Sequence, residues 1–431
     1  MSSRCHLEEV PLTESRRVVF TGMGVIAPNG TGLDDFWHSL VRGESAVRRV
    51  THFDASTYPC QIAAEVRDFD ALRYLDPKTA KRLDRFAQMA FGASQMAVED
   101  AQIDFSHENL SRIGVFIGSA IGGIGFIETQ HNIFMEKGLK RISPFTVVSS
   151  STHSASGVIA CHYHFRGSNT TIAAGCNSGL DATYSAFNAI RLGDADVMIA
   201  GAGEAPITPF SFAAFNASGY LSRANRNPQK ALKPYDSNAD GMVLGEGGAI
   251  FVLEELQHAL RRKAKIYGEI VSYSALNEAL DLFGVESCNG TMALNLEQTL
   301  KKVGIEVKDI DCINAHGNGI LPCDIEETEA IKKVFGEAAY QIPVTSIKPI
   351  TGHAIAATGI FQIVSSLLSI KYGVIPPTIN LECPDPRCDL NFVRRDPLTR
   401  ETRTVLINAH GFGGRMTALI VKNLISEPPV S

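Results

Sequence analysis

Residues 170–183 read TTIAAGCNSGLDAT. A β-like apolar run ends at Ala174, small residues follow, and the pattern turns helical after Leu180. Cys176 therefore stands at a strand-to-helix junction. A free thiol has a pKa of about 8.5, and the unpaired N–H groups at a helix N-terminus favour its anion. Gly175, Asn177, Ser178 and Gly179 leave the approach open. Other nucleophiles are presented on such elbows. Cys176 is a candidate nucleophile, with a buried structural thiol as the competing reading.

The same grammar recurs on both sides. Residues 16–27 (RRVVFTGMGVIA) read as a strand entering a Gly-rich turn, 34–42 as a short helix and 80–102 as a helix with apolar residues at helical spacing. Strands are expected at 111–119, 170–174, 196–203 and 248–254, with helices over 144–165 and 178–192. In the second half, strands at 310–315, 343–347, 403–408 and 417–421 surround a small-residue helix at 353–370. Such alternation predicts α/β layers with buried, mostly parallel strands. Similar endings, DVMIAGAG with GAIFVLE and RTVLINAHGFGG with TALIV, suggest an internal duplication meeting near residue 260. Residues 205–245 lack regular pattern and read as a long insertion, the kind of loop that carries function.

Composition narrows the class. The chain has 431 residues, 45% hydrophobic and 20% charged, enough for a large core. A net charge of −6 and no long basic run argue against nucleic acid as partner. No signal-like apolar region occupies the first residues and no run of 18 apolar residues occurs, so neither secretion nor a membrane span is expected. Nine cysteines at irregular spacing read as reduced thiols, which fits a cytoplasmic protein.

A cysteine nucleophile needs partners. His316 lies in NAHGNG directly after an apolar strand, and His353 closes SIKPITGH, five residues after Lys348. Strand ends are where α/β sheets gather ligands. Taken singly, each histidine reads as a structural group and Lys348 as a surface lysine. Together with Cys176, in matching positions of two half-repeats, they form a candidate site.

These segments resemble the β-ketoacyl synthases of the thiolase superfamily over nearly the whole chain. The carriers are GCNSGLD around Cys176, NAHGNG around His316, SIKPITGHAIAATG at 346–359, NAHGFGG at 408–414 and KALKPYDSNADGMVLGEGGAIFVLEE at 230–255. The resemblance implies a thiolase-like α/β fold, two similar βα halves in five layers (α-β-α-β-α). It places an N-terminal half over 16–260 and a C-terminal half over 261–424, with tails at 1–15 and 425–431. It also implies decarboxylative Claisen condensation. Cys176 would carry the acyl chain. His316 and His353 would hold the malonyl thioester and its enolate as oxyanion-hole donors do. Lys348 would orient His353 or adjust local charge. The backbone N–H groups of Cys176 and Phe412 would bind the tetrahedral oxyanion, with Phe412 between Gly411 and Gly413 as a gate. Asn318, Ile320, Asp324, Glu327 and Ser178 would lie near the substrate arm. No catalytic cofactor or metal is implied; substrates ride on the phosphopantetheine of an acyl carrier protein.

GCxSGLD, QIAAEV at 61–66 and PDPRCDLNF at 384–392 resemble the ketosynthase α-subunit of type II polyketide synthases, which pairs with a chain length factor; a homodimer is the other arrangement. The alternatives are a fatty acid elongation enzyme and, from another class, a non-elongating acyl transferase or acyl-binding subunit. Retention of Cys176 argues against a non-catalytic chain length factor. The chain also departs from the family. HGNGI stands for HGTGT, Gln362 for a glutamate, GFGGRM (with Arg415 and Met416) for GFGGTN, and His410 for an aromatic residue.

Three further patterns are set aside. Gly22-Met23-Gly24-Val25-Ile26-Ala27 fits GxGxxA, but Pro28-Asn29-Gly30 follows where a dinucleotide fold needs a helix. Cys161, His162 and His164 do not share one helical face, and Cys383 and Cys388 lack a second ligand pair, so metal is not expected.

Overall fold

The computed structural model describes residues 16–282 and 290–424. The expected tails at 1–15 and 425–431 lie outside them. Among the described residues ten strands run in order across an eleven-stranded sheet: β1 (Val18–Ala27), β2 (Ile113–Gly118), β3 (Asn169–Ile172), β4 (Val197–Glu204), β5 (Gly247–Glu255), β6 (Gly268–Asn277), β7 (Cys312–Asn314), β8 (Val344–Thr345), β9 (Thr404–Gly411) and β10 (Arg415–Lys422); the eleventh, Gly30–Thr31, pairs only with β1. Their order across the sheet is β8-β7-β9-β10-β6-β1-β5-β4-β2-β3. Counted from its own first strand, each half runs third, second, fourth, fifth, first. The duplication suggested by the similar endings is thus present as topology. The halves join where Val19 and Phe20 of β1 pair with Glu269 and Gly268 of β6.

The sheet is less parallel than the alternation suggests. β2 pairs in parallel with β3 and β4, and β7 with β8 and β9, but the ladders through β5, β1, β6 and β10 are antiparallel. β9 returns directly as β10 through a tight turn at Phe412–Gly414, and a hairpin needs no crossover helix. That hairpin also extends β9 through His410 and Gly411, beyond the strand expected at 403–408.

Helices α1 (Arg85–Ala101) and α3 (Ser154–Tyr163) cover the outer face of the first half. Between them in sequence, α2 (Ile124–Lys137) packs on the short helix Thr146–Ser150. α4 (Ser178–Arg191) lies in the middle layer, α5 (Thr291–Lys301) and α6 (Leu321–Phe335) cover the second half, and α7 (Thr358–Tyr372) joins α4 in the middle. Strand alternation builds this sandwich. Ile113, Val115 and Ile117 of β2 face the outer core with Phe86 and Ile159, whereas Phe116 faces the middle with Leu180 and Ile360. In the second half Leu406 points outward and Val405 and Ile407 inward.

Gly22 and Gly24 are explained by packing. A Cβ on Gly24 would stand 2.1 Å from the Ala93 carbonyl of α1, so the glycines let a helix lie directly on β1. The window Ile355–Tyr372 is apolar enough to cross a membrane by composition, yet 89% of it is buried inside the protein. It is the middle-layer helix with the short 3-10 turn that leads into it. No disulfide links the seven cysteines among the described residues.

Candidate active site

Cys176, His316, His353 and Phe412 converge on one cavity, together with Met242, Asn318, Ile320, Cys323, His410, Gly411, Gly414, Met416 and two carboxyls, Glu278 and Glu326. Each arrives from an end of the sheet. β3 ends at Ile172, Gly175 takes φ 59°, and α4 begins at Ser178, which leaves Cys176 on the elbow. Ser178 holds that elbow: its Oγ accepts from Ala174 N–H at 2.8 Å and donates to the Gly175 carbonyl at 2.6 Å. A Cβ on Gly411 would come within 3.3 Å of the Cys176 Cβ, so glycine is what lets β9 pass.

The thiol differs from the sequence expectation. Cys176 is buried, and burial pushes it up to about 12, outweighing the anion-favouring Lys348 ammonium and the N–H groups of Phe412 and Cys176 itself. Desolvation therefore outweighs the groups that favour the anion.

His353 follows the single turn Lys348–Thr351 after β8. Its ring Nδ1 accepts from Ile355 N–H at 3.1 Å, so the ring proton sits on Nε2. Ile355 adopts φ 45° to make that bond, a left-handed conformation costly for a β-branched residue. Burial and then Lys348 hold His353 down at about 3, a neutral donor at physiological pH.

His316 hangs from a loop clamped from behind. Glu327 accepts His316 N–H at 2.6 Å, Gly317 N–H at 2.9 Å and the Tyr235 hydroxyl at 2.7 Å. Asp324 accepts from Tyr235, Asn318 and Gly319 N–H, and burial raises it to about 8. Glu327, Asp324 and Ser178 are buttresses: Asn318 and Ile320 line the cavity, while these three do not. The Asn318 side chain is occupied too, accepting from Ile320 N–H at 2.9 Å.

Lys348 is buried and donates to the His316 carbonyl. The structure thus connects it to His316 rather than to the His353 ring, and its effect on His353 is through space. Burial lowers Lys348 to about 8 against the pull of Glu327. The His316 ring lies 5.4 Å from His353, centre to centre, and 4.0 Å from His410, and neither of its nitrogens has a hydrogen-bond partner among the described residues. Burial, and then His410, keep it neutral.

The departures find structural roles. The Gln362 amide donates to the Asn314, Ala315 and Asn408 carbonyls at 3.0, 3.0 and 3.2 Å, a donor role that an ionised glutamate cannot fill. Arg415 leaves the cavity to bind Asp181 of α4 at 2.7 Å, while Met416 points in. Phe412 lies against Tyr220, rings 5.3 Å apart, and its turn is fastened by Asn277 Nδ2 to Gly413 O and Glu278 N–H to Gly414 O, both 2.9 Å.

Residues 15–259 match the family described as "Beta-ketoacyl synthase, N-terminal domain", and residues 267–382 its C-terminal domain. The chain is a β-ketoacyl synthase. This β-ketoacyl synthase is 40% identical over 411 residues to the 3-oxoacyl-[acyl-carrier-protein] synthase 2 of Coxiella burnetii, spanning 95% of the chain and 99% of that protein. It is also 40% identical over 414 residues to a putative polyketide beta-ketoacyl synthase 1 of Streptomyces cyaneus, spanning 94% and 98%. A solved ketosynthase, described as a type II PKS acyl-carrier protein in complex with its ketosynthase bound to the hexaketide, superposes with a TM-score of 0.88 at 33% identity, over 95% of this chain and 100% of that one. The thiolase-like fold follows from these matches. So does the reaction class: β-ketoacyl synthases transfer acyl groups and join them by Claisen condensation, with substrates carried on acyl-carrier-protein phosphopantetheine.

Sequence reasoning missed part of the site. Glu278 and Glu326 meet only in the folded chain; Glu326 is raised to about 8, by burial and then by Glu278. Tyr235 stood in a quoted motif without a role, and His410 was noted only as a departure.

Proposed function

We propose that this synthase extends polyketide chains, with Cys176 as nucleophile and His316 and His353 as the decarboxylation pair. One observation carries the residue roles. A buried thiol shares a cavity with two neutral imidazoles, one fixed as an Nε2–H donor. The Cys176 sulfur attacks an acyl thioester, and its proton leaves with the carrier thiol. A malonyl thioester then loses CO2, and the electron pair of the broken C–C bond enters an enolate held by the imidazole N–H groups. The enolate carbon attacks acyl-Cys176, the C–S bond breaks, and the thiolate is reprotonated. Lys348 and Glu327 position His316. Phe412 acts as the gate, with Gly411 and Gly413 as its hinges, and Asn318 and Ile320 face the arm. The two halves at 16–260 and 261–424 each supply part of this set.

The polyketide assignment rests on the motif wording and on the relatives of that description. Fatty acid extension is the second reading, favoured by the equal identity to a 3-oxoacyl synthase 2. For partners we infer an acyl carrier protein and a second subunit. β8 is covered at its outer edge by a bridge to Phe392, whereas β3 has no strand beyond it among the described residues. An open β3 edge, and exposed Met135, Leu139, Val147 and Val148 in the same half, support a docked chain, either a chain length factor or a second copy.

The test is incubation with acyl- and malonyl-carrier proteins, with and without candidate partner chains, following CO2 release and intact mass. Acylation of Cys176 followed by decarboxylation and chain growth is the expected result. Acylation without CO2 release would favour a non-elongating acyltransferase. A Cys176→Ala variant that still condenses refutes the nucleophile assignment.

A further inference from the structure

His410 is the part of this cavity that the roles above leave unused. It sits near the end of β9, two residues before the gate, and lines the same wall as Cys176, His316 and His353. Its Nε2 is enclosed and has no hydrogen-bond partner among the described residues. A buried polar atom with no partner marks a place where something else supplies one. The nearby charges are already engaged: Lys348 on the His316 carbonyl, Glu327 on backbone N–H groups, Tyr235 and Asn408.

The reaction brings one group that needs a donor there. In a malonyl thioester the carboxyl carbon lies two C–C bonds of about 1.5 Å from the thioester carbonyl carbon. If His316 and His353 hold the carbonyl, the carboxylate falls beside them, and the His410 ring is 4.0 Å from that of His316. We propose that His410 Nε2–H holds the carboxylate of the extender unit until CO2 leaves. The inference rests on the condensing reading above and assigns the specificity for a carboxylated thioester to a residue. Burial holds His410 at about 4, so it offers one neutral hydrogen bond and no cation. A full positive charge would stabilise the carboxylate before the reaction more than the transition state that gives it up. No proton passes through His410: the C–C pair goes to the enolate, and CO2 departs neutral.

The test is calorimetric binding of two unreactive amides, malonyl- and acetyl-aminopantetheine, which needs no turnover. The parent should prefer the malonyl amide by about tenfold, the worth of one hydrogen bond to a charged group. His410→Phe should abolish that preference without weakening the acetyl amide, and His410→Gln, which keeps an N–H, should restore part of it. In the CO2 assay His410→Phe should raise KM for malonyl-carrier protein and leave kcat undiminished. An equal preference in parent and His410→Phe overturns the assignment, as does a fall in kcat at unchanged KM. A parent that binds the amides selectively but releases no CO2 overturns the condensing reading instead.

Discussion

At the scale of single residues, the site is a set of groups held away from their usual protonation. His353 at about 3 and His410 at about 4 are both depressed by burial below the ordinary histidine value of about 6.5. The native state therefore binds fewer protons than the unfolded chain between pH 6.5 and about 4, and stability falls as pH drops through that window. Removing one imidazole should make the fall shallower. In urea titrations at pH 7, 6, 5 and 4.5, His410→Phe should lose less stability per pH unit than the parent, the difference bounded by about 1.4 kcal/mol per unit for one proton. Parallel curves would place His410 outside the buried cluster. Gln362 shows the same logic in reverse: an uncharged amide replaces an acid where three carbonyls point inward.

At the scale of elements, the packing of α1 on β1 depends on Gly22 and Gly24. Gly24→Ala would place a methyl 2.1 Å from a backbone carbonyl, and the strand or helix must move. Overpacking of this kind costs about 1–3 kcal/mol, so the urea midpoint should fall while the slope stays constant. The elements that escaped the sequence reading have physical reasons. α2 has no buried residue, hence no apolar stripe to see. β6 buries Ser272, Tyr273 and Ser274 within a ladder, so neither alternation nor an apolar run marks it. Strands β2, β4, β5, β9 and β10 were legible because they are buried over most of their length and each carries a run of apolar residues.

At the scale of the whole molecule, the open edge of β3 and the exposed apolar residues of the first half set the expected assembly. Val147 and Val148 are 82% and 66% exposed, so charges there should not disturb the monomer fold. The double variant Val147→Glu, Val148→Glu should run as a monomer in light scattering where the parent is paired, with an unchanged far-UV circular dichroism spectrum. A pair that survives both charges would move the interface elsewhere. The sequence by itself determined the family, the alternation of layers and the choice of Cys176, His316, Lys348 and His353 as candidates, because strand ends and small-residue elbows are local patterns. Only the tertiary structure decided how these groups behave. Desolvation and through-space partners depend on residues far apart in the chain, as Cys176 is from Lys348 and Phe412. That is why the thiol rises instead of falling, why Lys348 binds His316, why Asp324 and Glu327 stand behind the loop, and why a third imidazole lines the cavity.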